Sequence, residues 1–292
     1  MKKYGPKKQL WEGSEAQKTN SMSDNNNGIY WEIYDIKLFG RDRFRVLDVL
    51  EDKLALGTKK YWIATVNPEF VMEAQKDNEF KKILSKTSLN VVDGIGLIWA
   101  RELDRRLSII DSKNIVFKII TGFKVGVEVL RGKYKDQVAS GADLIVDLVK
   151  IAKKDNKKIF LLGGWGDRAE KTARYFSIKY QISDIKYSSG EPEIENKEVV
   201  KQINKFKPDI LLVAYGMKKQ EYWINDNLNK LDVGLVMGVG RSFDYYSGEL
   251  KRAPIWVRKI GMEWLYSLIK EPKRLKRQLV LPKFILKVFS SS

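Results

Sequence analysis

From about Ile29 the chain alternates short apolar runs with longer amphipathic segments. Four runs have the length and the Ile, Leu and Val content of buried strands: 61–65, 158–162, 209–214 and 234–239. Each leads into glycine or a polar cluster. Between them the spacing turns helical. Over 68–85, Phe70, Val71, Ala74 and Phe80 share one helix face, and 142–153 carries Leu144, Ile145, Leu148, Val149 and Ile151. Segments 168–180 and 197–206 read the same way. Strand and helix in this rhythm predict an α/β fold: a Rossmann-like parallel sheet with helices on both faces. Ligands then bind beyond the C-terminal ends of the strands.

The two ends of the chain depart from this rhythm. Residues 1–28 are polar, rich in Lys, Ser, Asn and Gly, and predict a disordered tail. The Rossmann-like domain spans 29–248. Residues 249–292 hold eleven Lys and Arg against three Glu, a net +8, and form a basic C-terminal helical appendage. Within it 254–270 predicts an amphipathic helix, followed by Lys273-Arg274-Leu275-Lys276-Arg277 and an apolar stretch over 279–289. Basic residues beside Trp, Leu and Phe suit an anionic membrane surface. They equally suit a helical hairpin packed on the domain with its charged face in water.

Composition narrows the chemistry. The chain has 292 residues and a formal charge of +17, which favours an anionic partner. It has neither Cys nor His, so thiol catalysis, histidine acid–base schemes and the common zinc sites are excluded. A carboxylate is the first candidate for a general base, with Lys or Tyr behind it. No run of 18 apolar residues marks a membrane span, and no apolar segment follows the basic N-terminus as in a signal peptide. The expected location is the cytoplasm. No Asp-x-Asp occurs, so a metal held in that way is not indicated and no cofactor is expected.

Candidate residues fall directly after the predicted strands. Thr65 and Asn67 either cap the next helix or bind a sugar or nucleotide. Asp93, before Gly94, is either a turn former or a base held at a cleft. Gly163 and Gly164 open a glycine loop whose backbone N–H groups suit a phosphate, although the full dinucleotide fingerprint is missing. Gly216, Gln220 and Glu221 read as a turn into a helix or as hydrogen-bonding groups for a sugar or base. Gly240 and Asp244 follow the last strand. In the predicted topology these clusters share one crevice.

Taken in order, the segments resemble the WecG/TagA/CpsF family of bacterial glycosyltransferases over about 34–276. The residues carrying the resemblance are Thr65-x-Asn67 with Glu69, Asp93-Gly94-x-Gly96, Gly141-x-Asp143-Leu144 and Leu161-Leu162-Gly163-Gly164. They continue with Asn204 and Pro208-Asp209, Gly216-x-x-x-Gln220-Glu221-x-Trp223-Ile224, and Gly238-Val239-Gly240 with Phe243-Asp244. Gly248, Lys251-Arg252-Ala253-Pro254, Gly261-x-Glu263-Trp264-Leu265-Tyr266 and Glu271-Pro272-x-Arg274-x-x-Arg277 complete the set.

The resemblance implies an inverting, metal-independent transfer of a sugar, typically N-acetylmannosamine or its uronic acid, from a UDP-sugar to a polyprenyl-diphosphate-linked sugar. The products feed teichoic acid or other surface polysaccharides. It implies Asp93 as base, with Thr65 and Asn67 lining the pocket, and Gly141, Asp143 and Arg252 among the substrate-binding positions. It places Arg274 and Arg277 at the diphosphate, on an appendage that folds over the site at the inner face of the membrane. A homo-oligomer is left open. Five positions depart from the family pattern: Val92 and Lys218 each stand where the family has Pro, Arg241 where it has Gly, and Val138 and Ser267 each in place of an Arg. The stretch from Asp93 to Gly141 is also longer than usual by about a hairpin or helix. Two other readings follow from these features. One is a catalytically silent relative that scaffolds glycan assembly. The other is a basic nucleic-acid-binding protein, which the absence of any nucleic-acid motif disfavours.

Overall fold

The apolar runs resolve into nine strands of one sheet in a computed structural model that describes residues 24–25, 29–110, 114–190 and 196–291. The strands are β1 (Asp24–Asn25), β2 (Tyr30–Ile33), β3 (Ile36–Phe39), β4 (Tyr61–Val66), β5 (Leu89–Val92), β6 (Ile159–Gly163), β7 (Ile185–Ser188), β8 (Ile210–Ala214) and β9 (Leu235–Gly238). They lie in the order β1-β2-β3-β5-β4-β9-β8-β6-β7. From β3 across to β7 every pairing is parallel, and β1 and β2 add an antiparallel edge. The four strands expected from the apolar runs are β4, β6, β8 and β9. β2 and β3 form a hairpin whose two loop residues, Tyr34 and Asp35, both have positive φ, as a tight two-residue turn requires. Asp24–Asn25 falls within the predicted tail yet pairs with Tyr30 and Trp31. Residues 1–23 and 26–28 of that tail lie outside the described residues.

Alternation along each strand divides the apolar side chains between two faces. Ile63, Leu161, Leu212 and Met237 point to one face, covered by the helices Arg43–Ala55, Gly141–Lys154 and Arg168–Tyr180. Trp62, Ala64, Leu162, Val213 and Val236 point to the other, covered by the helices that follow β4, β5 and β8 and by the C-terminal helix Val280–Ser291. The helix Pro68–Ala74 after β4 packs on the second face, whereas the short helix Ser242–Tyr246 after β9 packs on the first. Adjacent strands whose connections leave to opposite faces open a crevice at their C-terminal ends. That seam lies between β4 and β9.

Two predicted helices are each divided. Over 68–85 the chain forms Pro68–Ala74 and Asn78–Ser85, because Asp77 accepts hydrogen bonds from the Glu79 and Phe80 N–H groups (3.0 and 3.1 Å) and starts a new helix. Over 254–270 it forms Ile255–Lys259 and Glu263–Lys270, separated at Gly261, whose φ is +73°. The long stretch between Asp93 and Gly141 holds two 16-residue helices, Ile95–Ile110 and Ile115–Leu130. No helix among the described residues is long and apolar enough to cross a membrane.

Candidate active site

β5, β4, β9, β8 and β6 are neighbours in the sheet, so the polar clusters that follow them line one rim. Asp93 follows β5 directly, and its N–H donates to the Val66 carbonyl (2.7 Å), pinning it against the end of β4. Gly94 has φ +142°, and a Cβ there would meet Pro68 at 3.3 Å and Asn67 at 3.5 Å. Glycine is needed for both reasons, and the two loops lie in contact. Asn67 caps the helix Pro68–Ala74, its Oδ1 accepting from the Glu69 and Phe70 N–H groups (2.9 and 3.2 Å). Thr65 is buried, and its hydroxyl donates to the Gly238 carbonyl across the seam (3.3 Å).

Asp93 faces the start of the helix Gly141–Lys154. Its Oδ2 accepts a long hydrogen bond from the Gly141 N–H (3.4 Å), at the positive end of the helix. Burial nevertheless pushes its carboxyl up to about 7. The Gly141 N–H opposes that shift, Glu263 adds to it, Arg252 pulls it back and Asp143 raises it again. Gly141 is close-packed as well, since a Cβ would meet Thr65 Cγ2 at 3.3 Å. Thr65, Gly141 and Asp93 therefore form one contact set at the ends of β4 and β5. A carboxyl near neutrality, held against a wall and beside a crevice, is suited to accept a proton.

The glycines of the rim are shaped by their neighbours. Gly163 has φ +90° and lies under the Tyr215 ring, which a Cβ would meet at 2.7 Å. The Gly164 N–H donates to the Ala214 carbonyl (3.0 Å), so it is engaged within the protein. Gly216 and Gly240 have positive φ and open space around them. Gln220 and Glu221 are buried beneath this loop. Gln220 Oε1 accepts from the Gly240 N–H (2.8 Å) and its Nε2 donates to Glu221 Oε1 (2.7 Å), while Glu221 Oε2 accepts from the Lys218 N–H (2.7 Å). Burial pushes Glu221 up to about 7. The pair thus holds two loop backbones in place. Asp244 is likewise buried, accepting from Arg168 (2.7 Å) and Arg241 (2.7 Å).

The appendage closes over this rim. Arg252 forms a bidentate pair with Asp143 (2.7 and 3.0 Å) and also donates to Glu263 (3.0 Å). Burial works against the Asp143 charge, but Arg252 outweighs it, with Arg43 and Arg258 helping, and the carboxyl stays below its ordinary range. Arg241 reaches on to Glu271 (3.0 Å). A Cβ on Gly261 would meet Ile95 at 2.8 Å, so the appendage touches a residue two positions after Asp93. Arg277 donates through Nε to both Glu69 oxygens (2.6 and 2.7 Å), at the helix that Asn67 caps. The Arg274 side chain lies outside the described set. Ser267 lines a cleft of about 230 Å³ together with Lys251, Lys270, Tyr245 and Tyr266.

Sequence reasoning missed Arg168, Arg241 and Arg258, which tie Asp244 and Asp143 into place. Their only local signal is the 241/244 spacing of one opposite-charge pair on a helical turn. Asp143 and Arg252 stand 109 residues apart and carry no signal that relates them.

The model of the glycosyl transferase WecG/TagA/CpsF family matches residues 31–111 and 105–292. An N-acetylglucosaminyldiphosphoundecaprenol N-acetyl-beta-D-mannosaminyltransferase of Bacillus subtilis (strain 168) is 32% identical over 227 residues, 77% of this chain and 78% of the relative. A protein of the same description from Staphylococcus aureus (strain MW2) is 29% identical over 231 residues, 79% of this chain and 80% of its own. The parallel sheet, the crevice at its strand ends and these matches agree: the chain belongs to the WecG/TagA/CpsF family of glycosyltransferases.

Proposed function

We propose that this glycosyltransferase moves an N-acetylmannosamine-like sugar from a UDP-sugar to a polyprenyl-diphosphate-linked N-acetylglucosamine, with inversion and without a metal, in the synthesis of a cell-surface polymer. Asp93 carries the reading. Its carboxyl combines a place at the strand-end crevice with a pKa of about 7, so a large share is ionised at neutral pH and still basic enough to take a proton. In the reaction the acceptor hydroxyl oxygen attacks the anomeric carbon and its proton passes to Asp93. The bond from that carbon to the diphosphate oxygen breaks, and UDP leaves with the electron pair. The Gly141 N–H, against which Thr65 packs, holds the carboxyl, and the Asn67 amide nitrogen orients a sugar hydroxyl while its oxygen caps the helix.

The charge that develops on UDP needs cationic partners. Arg277 is the described candidate nearest the Asn67 helix, and it must exchange Glu69 for the diphosphate to serve. Gly216 and Gly240 supply open backbone for the nucleotide, over the Gln220–Glu221 support. The lipid acceptor keeps the enzyme at the inner face of the membrane.

The reading is tested with full-length protein, a short-chain polyprenyl-diphosphate N-acetylglucosamine and a panel of UDP-sugars, with and without EDTA. Acceptor-dependent UDP release that resists EDTA, with an inverted anomeric centre in the product, is expected. Loss of release in EDTA overturns the metal-free mechanism. A second reading, a silent scaffold, is favoured by one observation: Arg252, Arg258 and Arg277 are already paired with carboxylates. UDP-sugar binding with no turnover across the panel would support it.

A further inference from the structure

The stretch between Asp93 and Gly141 leaves an apolar ridge uncovered. The helix Ile115–Leu130 buries Thr121, Gly122, Val125 and Val129, and exposes Ile115, Val116, Ile119, Ile120 and Phe123. Those five positions follow helical spacing and form one stripe on the outward side. Phe123 is 75% exposed. A contiguous outward stripe of large apolar groups marks an interaction surface, in contrast to apolar residues scattered singly.

Its surroundings fit a lipid surface. The inner side of the helix packs on the helix Ile95–Ile110, with Trp99 donating to the Gly122 carbonyl (2.9 Å), and meets the C-terminal helix Val280–Ser291 where Phe289 lies against Gly122. Val125 and Val129 share one core with Phe284 and Val288, so both helices look outward from the same face of the sheet. The outward side of the C-terminal helix carries Ile285 and Leu286, with Lys283 exposed beside them. The sole acidic residue of the helix Ile115–Leu130, Glu128, is engaged by Arg106 (2.6 Å), Lys133 (2.9 Å) and Tyr134 (2.6 Å). Lys124 follows Phe123 on the same helix, and Arg131 and Lys135 are exposed just past its C-terminal end. Apolar groups edged by cations, with the one carboxylate neutralised, are complementary to an anionic bilayer. Sixteen residues span about 24 Å, too short to cross a hydrocarbon core.

We propose that the helix Ile115–Leu130 is a membrane-docking element whose ridge, Ile115 to Phe123, enters the headgroup and acyl boundary of an anionic bilayer beside the C-terminal helix. The proposal deepens the transferase reading, whose acceptor is a lipid, and its test uses vesicles without acceptor so that the two fail independently.

The chain lacks cysteine, so one introduced thiol reports from one place. Phe123→Cys carries an environment-sensitive fluorophore, and Lys150→Cys, exposed on the helix Gly141–Lys154 over the opposite face, serves as control. On vesicles of phosphatidylglycerol and phosphatidylethanolamine, the label at 123 is expected to shift to shorter wavelength and the label at 150 to stay unchanged. Ile119→Ser with Ile120→Ser is expected to weaken vesicle binding by about tenfold or more, and to leave the mass of the free protein and turnover on a water-soluble acceptor unchanged. A label at 123 that does not respond while the protein sediments with the vesicles overturns the proposal. So does a fall in free-protein mass in the serine variant with vesicle binding retained, which assigns the ridge to a second copy of the chain.

Discussion

At Asp93 the fold accepts the cost of burying a carboxyl. A carboxyl raised from 3.8 to about 7 keeps in the folded state a proton that the unfolded chain releases over that range. Stability from this group is therefore complete below the unfolded value and is lost as pH rises through about 7. Above that, the deficit is on the order of 4 kcal/mol. Asp93→Asn is expected to raise the urea midpoint at pH 8, with the gain fading towards pH 4, while turnover falls by roughly 100-fold or more. With Asp93 as the proposed base, kcat/KM for the native enzyme is expected to fall about tenfold per unit below pH 7 as its carboxyl is protonated. At Glu221 the outcome differs. Both of its oxygens accept hydrogen bonds, so Glu221→Gln turns an amide N–H₂ towards a donor, and a loss of about 1–3 kcal/mol in denaturant melts is expected. Asp93 was legible from its position after an apolar run. The work of Gln220 and Glu221 was not, because the Gly240 N–H approaches them only once β8 and β9 are paired.

The elements were legible where local chemistry decides them. The helix after β4 begins where Asn67 and Pro68 predict a cap and a first turn, and Asp77 is itself a capping residue at the break that periodicity alone passed over. Gly261 likewise ends the first appendage helix through its positive φ. The edge hairpin and β7 carry fewer continuous apolar residues than the central strands, and their strand character comes from pairing. Gly238 illustrates packing between elements. A Cβ there would lie 2.5 Å from Gln220 Nε2 and 2.8 Å from Glu221 Oε1, both fixed by other bonds. Gly238→Ala is expected to cost about 1–3 kcal/mol in a urea melt and to lower UDP affinity through the displaced Gly240 loop. Unchanged affinity would remove that loop from the nucleotide site.

At the scale of the whole molecule, the appendage is held to the domain by ion pairs as well as by the apolar packing of Phe284 and Val288. Arg252 is mostly buried between Asp143 and Glu263. Arg252→Ala removes the Glu263 partner and leaves Asp143 with Arg258, and a loss of about 1.5–3 kcal/mol is expected, with faster proteolysis around residue 250. Arg277 stands apart. Its pair with Glu69 is partly exposed and contributes no more than about 1 kcal/mol, so Arg277→Ala should leave the melt almost unchanged while turnover falls. Such long-range pairs are invisible to periodicity, which explains why the appendage was legible as a basic amphipathic segment but its seat above Asp93 was not. The seat matters for chemistry, since Glu263 and Arg252 both act on the Asp93 carboxyl.

The most direct measurement compares the native protein with Asp93→Asn, recording UDP release on the lipid-linked acceptor and UDP binding by calorimetry, both at pH 8. A loss of turnover of at least about 100-fold, with UDP affinity retained, is expected. Near-native turnover in the variant would contradict that expectation and remove Asp93 from the role of base.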